Sequence, residues 1–243
     1  MDDRREGRND LMKTLAIIPA YNEEKTLAGV VASIKREQPN MDIVIINDGS
    51  TDRTSTVARA LQHAAVIDLP VNLGIGGAMQ TGYMYAARNG YDIAIQIDAD
   101  GQHDPEALTQ IMEPILTGHV DCCIGSRFLM KTAYRSAWNR RLGILFFTWM
   151  ISWMIGKTFT DPTSGFRAVN RPIIELFARY YPEDYPEVEA IVLLERQQFR
   201  LKEVSVLMHE RKAGQSSITP LKSLYYMVKV SLAVCMSRIR NVS

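Results

Sequence analysis

The chain has 243 residues, a formal net charge of +1 and 47% hydrophobic residues, enough to bury a sizeable core in one domain. So even a charge balance supplies no global field for nucleic acid or an acidic partner. The three cysteines, Cys122, Cys123 and Cys235, are odd in number, include an adjacent pair and lack zinc spacing. They argue against a disulfide framework and structural zinc, and for a reducing compartment.

Residues 1–12 have no apolar core, so a disordered tail is expected there and a secretory signal is not. Thr14 to Ile18 reads as a short apolar strand ending in Pro19-Ala20-Tyr21-Asn22-Glu23-Glu24. Leu27, Val30, Val31 and Ile34 have helical spacing. Met41 to Ile46 is the next strand, closed by Asn47-Asp48-Gly49-Ser50-Thr51-Asp52. Ser50 or Thr51 is placed to cap a helix over Arg53 to Leu61. A third strand, Ala65 to Leu69, leads through Asn72-Leu73-Gly74-Ile75-Gly76-Gly77 into a helix reaching Arg88. The fourth, Tyr91 to Ile97, is β-branched and ends in Asp98-Ala99-Asp100-Gly101-Gln102.

Pro105 opens a helix through Ile115, and Val120 to Gly125 is a strand ending in Ser126-Arg127. Leu142 to Ile155 is apolar around most of its circumference, with Arg140, Arg141 and Lys157 at its ends. It is shorter than the ~20 residues of a membrane span. A buried core helix and an interfacial membrane helix within 135–157 both remain open. Its tryptophans and basic flanks favour the interface. Asp161 to Arg167 is a polar turn entering a strand. Helices are expected at Arg171 to Arg179 and Glu187 to Phe199, with a strand from Leu201 to Glu210. Residues 13–218 form the main domain. Residues 219–243 follow it, where Leu221 to Met236 is an amphipathic helix beside Lys222 and Lys229. Alternating strands and helices predict an α/β fold, with a mostly parallel central sheet flanked by helices and the site at the strands' C-terminal ends.

The acidic stretch carries the chemistry. In extended backbone Asp98 and Asp100 face the same way, and Gln102 continues the alternation if Gly101 does not break it. Two carboxylates and an amide oxygen suit Mg2+ or Mn2+ bound together with substrate phosphates. The plain rival is a solvated acidic turn. A calcium loop is set aside, because its required glycine and glutamate positions are His103 and Thr109. The Gly74-Ile75-Gly76-Gly77 run fails the dinucleotide fingerprint, which needs glycine where Met79 stands, and no P-loop exists. Among four scattered histidines only His103 lies near the acidic site, and a lone histidine is more often structural or solvated than catalytic.

Three ordered motifs carry a family resemblance: Pro19-Ala20-Tyr21-Asn22-Glu23, Asn47-Asp48-Gly49-Ser50-Thr51-Asp52 and Asp98-Ala99-Asp100-Gly101-Gln102. They resemble the family 2 glycosyltransferases, over about Thr14 to Ser217. Gly125-Ser126-Arg127, Asp161 to Phe166 and the Arg211, Gly214, Ser216 pattern resemble its polyprenyl-phosphate branch, which includes dolichol-phosphate mannose synthases. The resemblance implies a GT-A, Rossmann-like fold with C-terminal membrane-interface helices. It also implies an inverting enzyme using a nucleotide sugar and a divalent metal, peripheral on the cytoplasmic membrane face.

By position, Pro19, Tyr21, Glu23 and Asp48 would hold the base and ribose. Asp98 and Ala99 would support the nucleotide, and Asp100 and Gln102 the metal. Arg211 would steady the diphosphate, and Arg127, Arg140, Arg141 and Ser164 would receive an acceptor phosphate. A surface salt bridge is the rival reading for the arginines. The chain departs from many relatives at Ile75, where they carry lysine, so phosphate contacts in that loop are not implied. UDP-glucose or UDP-N-acetylglucosamine is favoured over GDP-mannose. The expected partners are the nucleotide sugar, a polyprenyl phosphate, the membrane surface and, as an alternative cover for the apolar helices, a small integral membrane protein. A hydroxyl acceptor would instead need a carboxylate base, for which Glu187, Glu189 and Asp161 are candidates. A non-catalytic nucleotide-sugar-binding regulator is the rival of another class.

Overall fold

The structure, a computed structural model, describes residues 12–129, 148–150, 152, 156–183 and 186–207. Its first half alternates strand and helix: β1 Thr14–Ala20, α1 Leu27–Glu37, β2 Asp42–Asn47, α2 Thr54–Ala60, β3 Ala65–Asp68, α3 Gly74–Arg88, β4 Ile93–Gln96 and α4 Ala107–Leu116. Then come β5 Cys122–Ser126, β6 Arg167–Asn170, α5 Arg171–Arg179, α6 Pro186–Arg196 and β7 Leu201–Ser205. The expected α/β architecture is present. The expected helices at 142–155 and 221–236, the end of the 201–210 strand, and Arg140, Arg141, Arg211, Gly214 and Ser216 lie in whole or part outside the described residues.

The strands form one sheet in the order β3-β2-β1-β4-β6-β5-β7. β1 pairs in parallel with β2 and β4, and β5 with β7. Only β6 is reversed, antiparallel to both β4 and β5. Both faces are covered, which is why the strands read as unbroken apolar runs. Leu15 and Ile17 point into a core with α3, α5 and α6, through Met79, Phe177 and Ile191. Ala16 and Ile18 point the other way, towards Leu27 and Ile34 of α1 and Ile111 of α4. Cys122 and Cys123 are free and buried, and burial pushes both thiols up to about 12.

Helix α2 begins later than expected, and neither Ser50 nor Thr51 caps it. Asp52 does this work: its Oδ1 accepts from the Thr54 N–H at 2.8 Å, a local turn bond of the kind aspartate makes readily. Ser50 instead faces the neighbouring loop. No helix among the described residues is long and apolar enough to cross a membrane.

The Gly74-Ile75-Gly76-Gly77 run opens α3; Gly74 takes a φ of 78, and Gly76 serves packing. A Cβ on Gly76 would come within 2.5 Å of the Pro182 carbonyl oxygen and closer still to that of Glu183. The segment leading into α6 is therefore seated on bare backbone. A Cβ on Gly29, in α1, would meet nothing within 4 Å. Gly76→Ala is expected to destabilise the fold by about 1–3 kcal/mol through overpacking, and Gly29→Ala to stabilise it by about 0.5–1 kcal/mol through helix propensity. Urea melts of the two variants should shift in opposite directions.

Asp121 fastens the start of β5. It accepts from the Arg200 N–H at 2.8 Å, from Arg200 Nη2 at 2.8 Å and from Asn170 Nδ2 at 3.0 Å. The Arg200 hydrogen bond holds its carboxyl below the usual 3.8. A lowered carboxyl contributes stability that is present above the unfolded value and lost as pH falls through the folded one. Asp121→Asn should be less stable than wild type at pH 7, with the gap closing as pH falls through the lowered carboxyl value; melts across pH check this.

Candidate active site

The polar loops after β1, β2 and β4 meet at one edge, and the first two brace each other. Asn22 has φ 57, in the left-handed region that asparagine tolerates. Its Oδ1 accepts from the Thr51 N–H at 2.9 Å, and its own N–H donates to Ser50 Oγ at 3.0 Å. The Glu23 N–H donates to Thr54 Oγ1 at 2.8 Å, and the Glu23 carboxylate accepts from Thr26 Oγ1 at 2.7 Å. Pro19 is half-buried. Tyr21 is left 49% exposed at the rim.

Asp48 is wedged between β2 and the entry to α3. Its N–H donates to the Ala20 carbonyl at 2.9 Å, and its Oδ1 accepts from the Leu73 N–H at 2.7 Å. Burial pushes its carboxyl up, and the Leu73 and Gly74 N–H groups partly offset that. One carboxylate oxygen thus positions the loop carrying Leu73.

The loop after β4 is a turn rather than a continued strand. Gly101 sits at φ 74, a conformation glycine adopts readily, so the extended alternation expected for Gln102 is broken. The turn still brings Gln102 back, its N–H donating to Asp100 Oδ1 at 3.0 Å. Asp98 is 38% exposed at its side chain, whereas Ala99 and Asp100 are buried. The Asp98 N–H donates to His103 Nδ1 at 3.1 Å. The ring proton then belongs on Nε2, which faces Asp98 Oδ2 at 3.5 Å. His103 also stacks on Phe166 at 4.8 Å; it supports the loop. Among the described residues no three His, Cys, Asp or Glu side chains converge as a metal set. Asp98, Asp100 and the Gln102 amide offer hard oxygens, and that donor set fits a hard divalent cation sharing its shell with phosphate and water.

Across from this loop lies a second polar cluster. Arg127 is only 5% exposed and is held by Asp161 through Nε at 2.5 Å and Nη2 at 2.7 Å. Nη2 also donates to Thr163 Oγ1 at 3.1 Å. The pair is therefore buried and bidentate, not the surface salt bridge weighed above. Glu203 holds the loop from behind, accepting from the Thr160 N–H at 2.7 Å and the Asp161 N–H at 2.8 Å. Burial pushes the Glu203 carboxyl up, and these bonds pull against it.

Both Asp161 oxygens are engaged by Arg127, so Asp161 is not available as a base. Ser164 is buried, and the next residue, Gly165, lies where a Cβ would stand 3.4 Å from both Asp98 carboxylate oxygens. Glu187 is half-buried in the first turn of α6. Burial pushes its carboxyl up, Arg167 and Arg127 oppose this, and Asp98 adds to it. The Glu187 carboxyl is thus within electrostatic reach of Asp98, Arg127 and Arg167. Glu189, two residues on in the same first turn, is partly buried and does not share the face of Glu187.

Sequence reasoning gave no role to Asn22, Glu203 or Arg167. The one signal available for Asn22 was its residue type in a turn after a strand, since asparagine tolerates the left-handed region it adopts. Nothing in the spacing of Glu203 or Arg167 pointed to their contacts.

A sheet of this order, with carboxylates on the loop after its fourth strand and a buried arginine–aspartate pair opposite, defines an α/β transferase-type site. The family model for "Glycosyl transferase family 2" matches residues 15–177, and the chain belongs to that family. It is 30% identical over 86% of its length to the undecaprenyl-phosphate mannosyltransferase of Micrococcus luteus, 88% of which is covered. It is 28% identical over 78% of its length to the UDP-N-acetylglucosamine–dolichyl-phosphate N-acetylglucosaminyltransferase of Methanococcus voltae, 83% of which is covered. Glucosyl-3-phosphoglycerate synthase from Mycobacterium tuberculosis, crystallised with Mn2+ and UDP, superposes with a TM-score of 0.72 at 22% identity, covering 96% of this chain and 82% of that one. The fold is the GT-A fold.

Asp161→Ala would strand the buried Arg127 guanidinium and is expected to cost about 3–5 kcal/mol. Thr163→Ala removes one side-chain hydrogen bond and should cost about 1 kcal/mol. Denaturant melts giving the reverse order would show that Asp161 is not what holds Arg127.

Proposed function

We propose that the chain transfers a sugar from a nucleotide sugar to a polyprenyl phosphate with inversion, at the cytoplasmic membrane face. The observation that carries this reading is the contact between the two halves of the site. The Asp98 carboxylate lies against Gly165, in the same loop as the Asp161 that holds Arg127. Donor and acceptor groups are thereby held at a fixed separation. The polyprenyl and dolichyl phosphate relatives support the choice of acceptor. UDP-glucose or UDP-N-acetylglucosamine is the favoured donor, and a screen of UDP-, GDP- and dTDP-sugars decides it.

In this reading an acceptor phosphate oxygen attacks the anomeric carbon as the bond to the nucleoside diphosphate breaks on the opposite face. A phosphate with a second pKa of about 6 is already ionised near neutral pH and needs no base. Pro19, Tyr21, Glu23 and Asp48 hold the base and ribose, and Asp98 and Ala99 the sugar-nucleotide. Asp100 and Gln102 would hold Mg2+ or Mn2+, which would supply positive charge to the leaving diphosphate. Arg127 and Ser164 orient the acceptor, with Arg140 and Arg141 meeting the phosphate and Arg211 the diphosphate.

A second reading has a specific observation behind it. Arg127 is already neutralised by Asp161, while Glu187, with its raised carboxyl, stands near Asp98 and Arg127. A sugar hydroxyl acceptor needs such a base. Product analysis with polyprenyl phosphate and with soluble sugar acceptors separates the two, since Glu187→Gln abolishes transfer only where a base is required.

Asp100→Ala is expected to lose most turnover while remaining folded, and wild-type activity should vanish in excess chelator. Asp48→Ala should weaken donor binding more than it lowers the maximal rate, because contacts to the base and ribose are remote from the reacting carbon. An Asp100→Ala enzyme fully active in chelator would overturn the metal role. Unchanged donor affinity in Asp48→Ala would overturn that of Asp48.

A further inference from the structure

Arg167 is the largest fully buried side chain of the described residues, at 0% exposure. It sits on the reversed strand β6, opposite Gln96 of β4 and Ile124 of β5. Among the described residues it forms no ion pair. Its Nη2 instead donates to two backbone carbonyls, Ser164 at 2.7 Å and Glu187 at 3.2 Å. Its Nε and Nη1 meet no hydrogen-bond partner among the described residues, and neither do the hydroxyls of Tyr83, Tyr181 and Ser164 or the Gln96 Oε1.

This is an expensive way to fill the interior of a sheet. The buried cation makes no direct ion-pair contact among the described residues, and the Glu187 carboxyl, which it opposes electrostatically, is its nearby counter-charge; such an arrangement costs desolvation that an apolar side chain would not. The two carbonyls explain what the guanidinium does. Ser164 belongs to the loop whose next residue lies against the Asp98 carboxylate. The Ser164 N–H also donates to the Asp161 carbonyl at 3.1 Å, and the Asp161 side chain holds Arg127. Glu187 belongs to the first turn of α6, and the segment before that turn rests on Gly76. One guanidinium therefore joins three pieces of the site: the loop on Asp98, the mount of Arg127 and the start of α6.

We propose that Arg167 is a positioning residue for sugar transfer, its buried guanidinium fixing the 161–165 loop to the first turn of α6 and so setting the separation between the donor and acceptor sides. The inference rests on the reading of the site as a sugar transferase. Arg167 touches neither substrate in this arrangement. It acts through Ser164 and Glu187, and its effect falls on the geometry of the transfer step rather than on donor affinity.

The test uses the full chain with Arg167→Met and Arg167→Lys. Three quantities are measured: the thermal melt, the affinity for UDP or GDP with Mn2+ (whichever wild type binds), and the transfer kcat. Arg167→Met is expected to melt at or above wild type and to bind the diphosphate within about 3-fold. Its kcat should fall about 10²-fold, the scale of an ångström-level misplacement. Lysine keeps the charge and donor hydrogens but is shorter and lacks the rigid planar fork, so Arg167→Lys should fall between. Wild-type kcat in either variant overturns the proposal, and so does a loss of diphosphate affinity in step with kcat. Should the methionine variant not fold, the lysine variant decides alone. A wild-type protein that glycosylates a hydroxyl and not polyprenyl phosphate defeats the lipid-acceptor reading yet leaves Arg167 measurable on that reaction. A wild type inactive on every acceptor overturns both.

Discussion

The reversal of β6 is the constraint on which the site depends. In a wholly parallel sheet the loop before each strand arrives at the edge opposite the site. Because β6 runs antiparallel between β4 and β5, its preceding loop arrives at the edge where those strands end. That single inversion places Gly165 on Asp98, Asp161 on Arg127 and Arg167 beneath both. Without it the carboxylates after β4 would face only their parallel neighbours, and the arginine after β5 would have no partner from this loop.

Energetically the edge is over-determined at the loops after β1 and β2 and costly at the loop before β6. The first two loops are joined by short bonds from Asn22, Ser50 and Thr54, each worth about 1 kcal/mol net. The Arg127–Asp161 pair is different. Taking both charges out of water offsets much of their attraction, so such a pair adds little over an apolar filling, yet removing one member is severe. Glu203 extends the cost by placing a second carboxylate behind the loop. A protein that stacks buried charges in this way is holding geometry, which is what an acceptor site needs.

Much of this was legible in the sequence, for physical reasons. The apolar strands and the 3.6-residue spacing of α1 and α5 follow from a sheet buried on both faces, so their positions came out within a few residues. The three loops were legible because their polar residues cluster directly after strands. What pairing decides was not legible. β6 looks like any short strand until its partners are known, and only then does Arg167 become interior. The turn at Gly101 was weighed and left open, because glycine permits either sign of φ. For Arg127 a surface salt bridge stayed open as a rival reading because the aspartate that buries it lies 34 positions away. Ser50 was a fair cap on composition, but Asp52 stands nearer the first helical N–H and prevails.

The charge arithmetic of the acceptor side follows from the same pairing. Arg127 and Asp161 together are neutral, so a ligand placed there would be met by the direction of their hydrogen bonds and not by net charge. A donor diphosphate and an acceptor phosphate would bring several negative charges to one edge, and Asp98 and Glu187 add more. Attraction must then come from groups outside the neutral pair: a divalent cation on the loop after β4, and the cations expected at Arg140, Arg141 and Arg211. A hydroxyl acceptor makes no such demand, and it would find Glu187 already raised by burial. The choice between the two acceptors is thus a choice between neutralising charge and removing a proton.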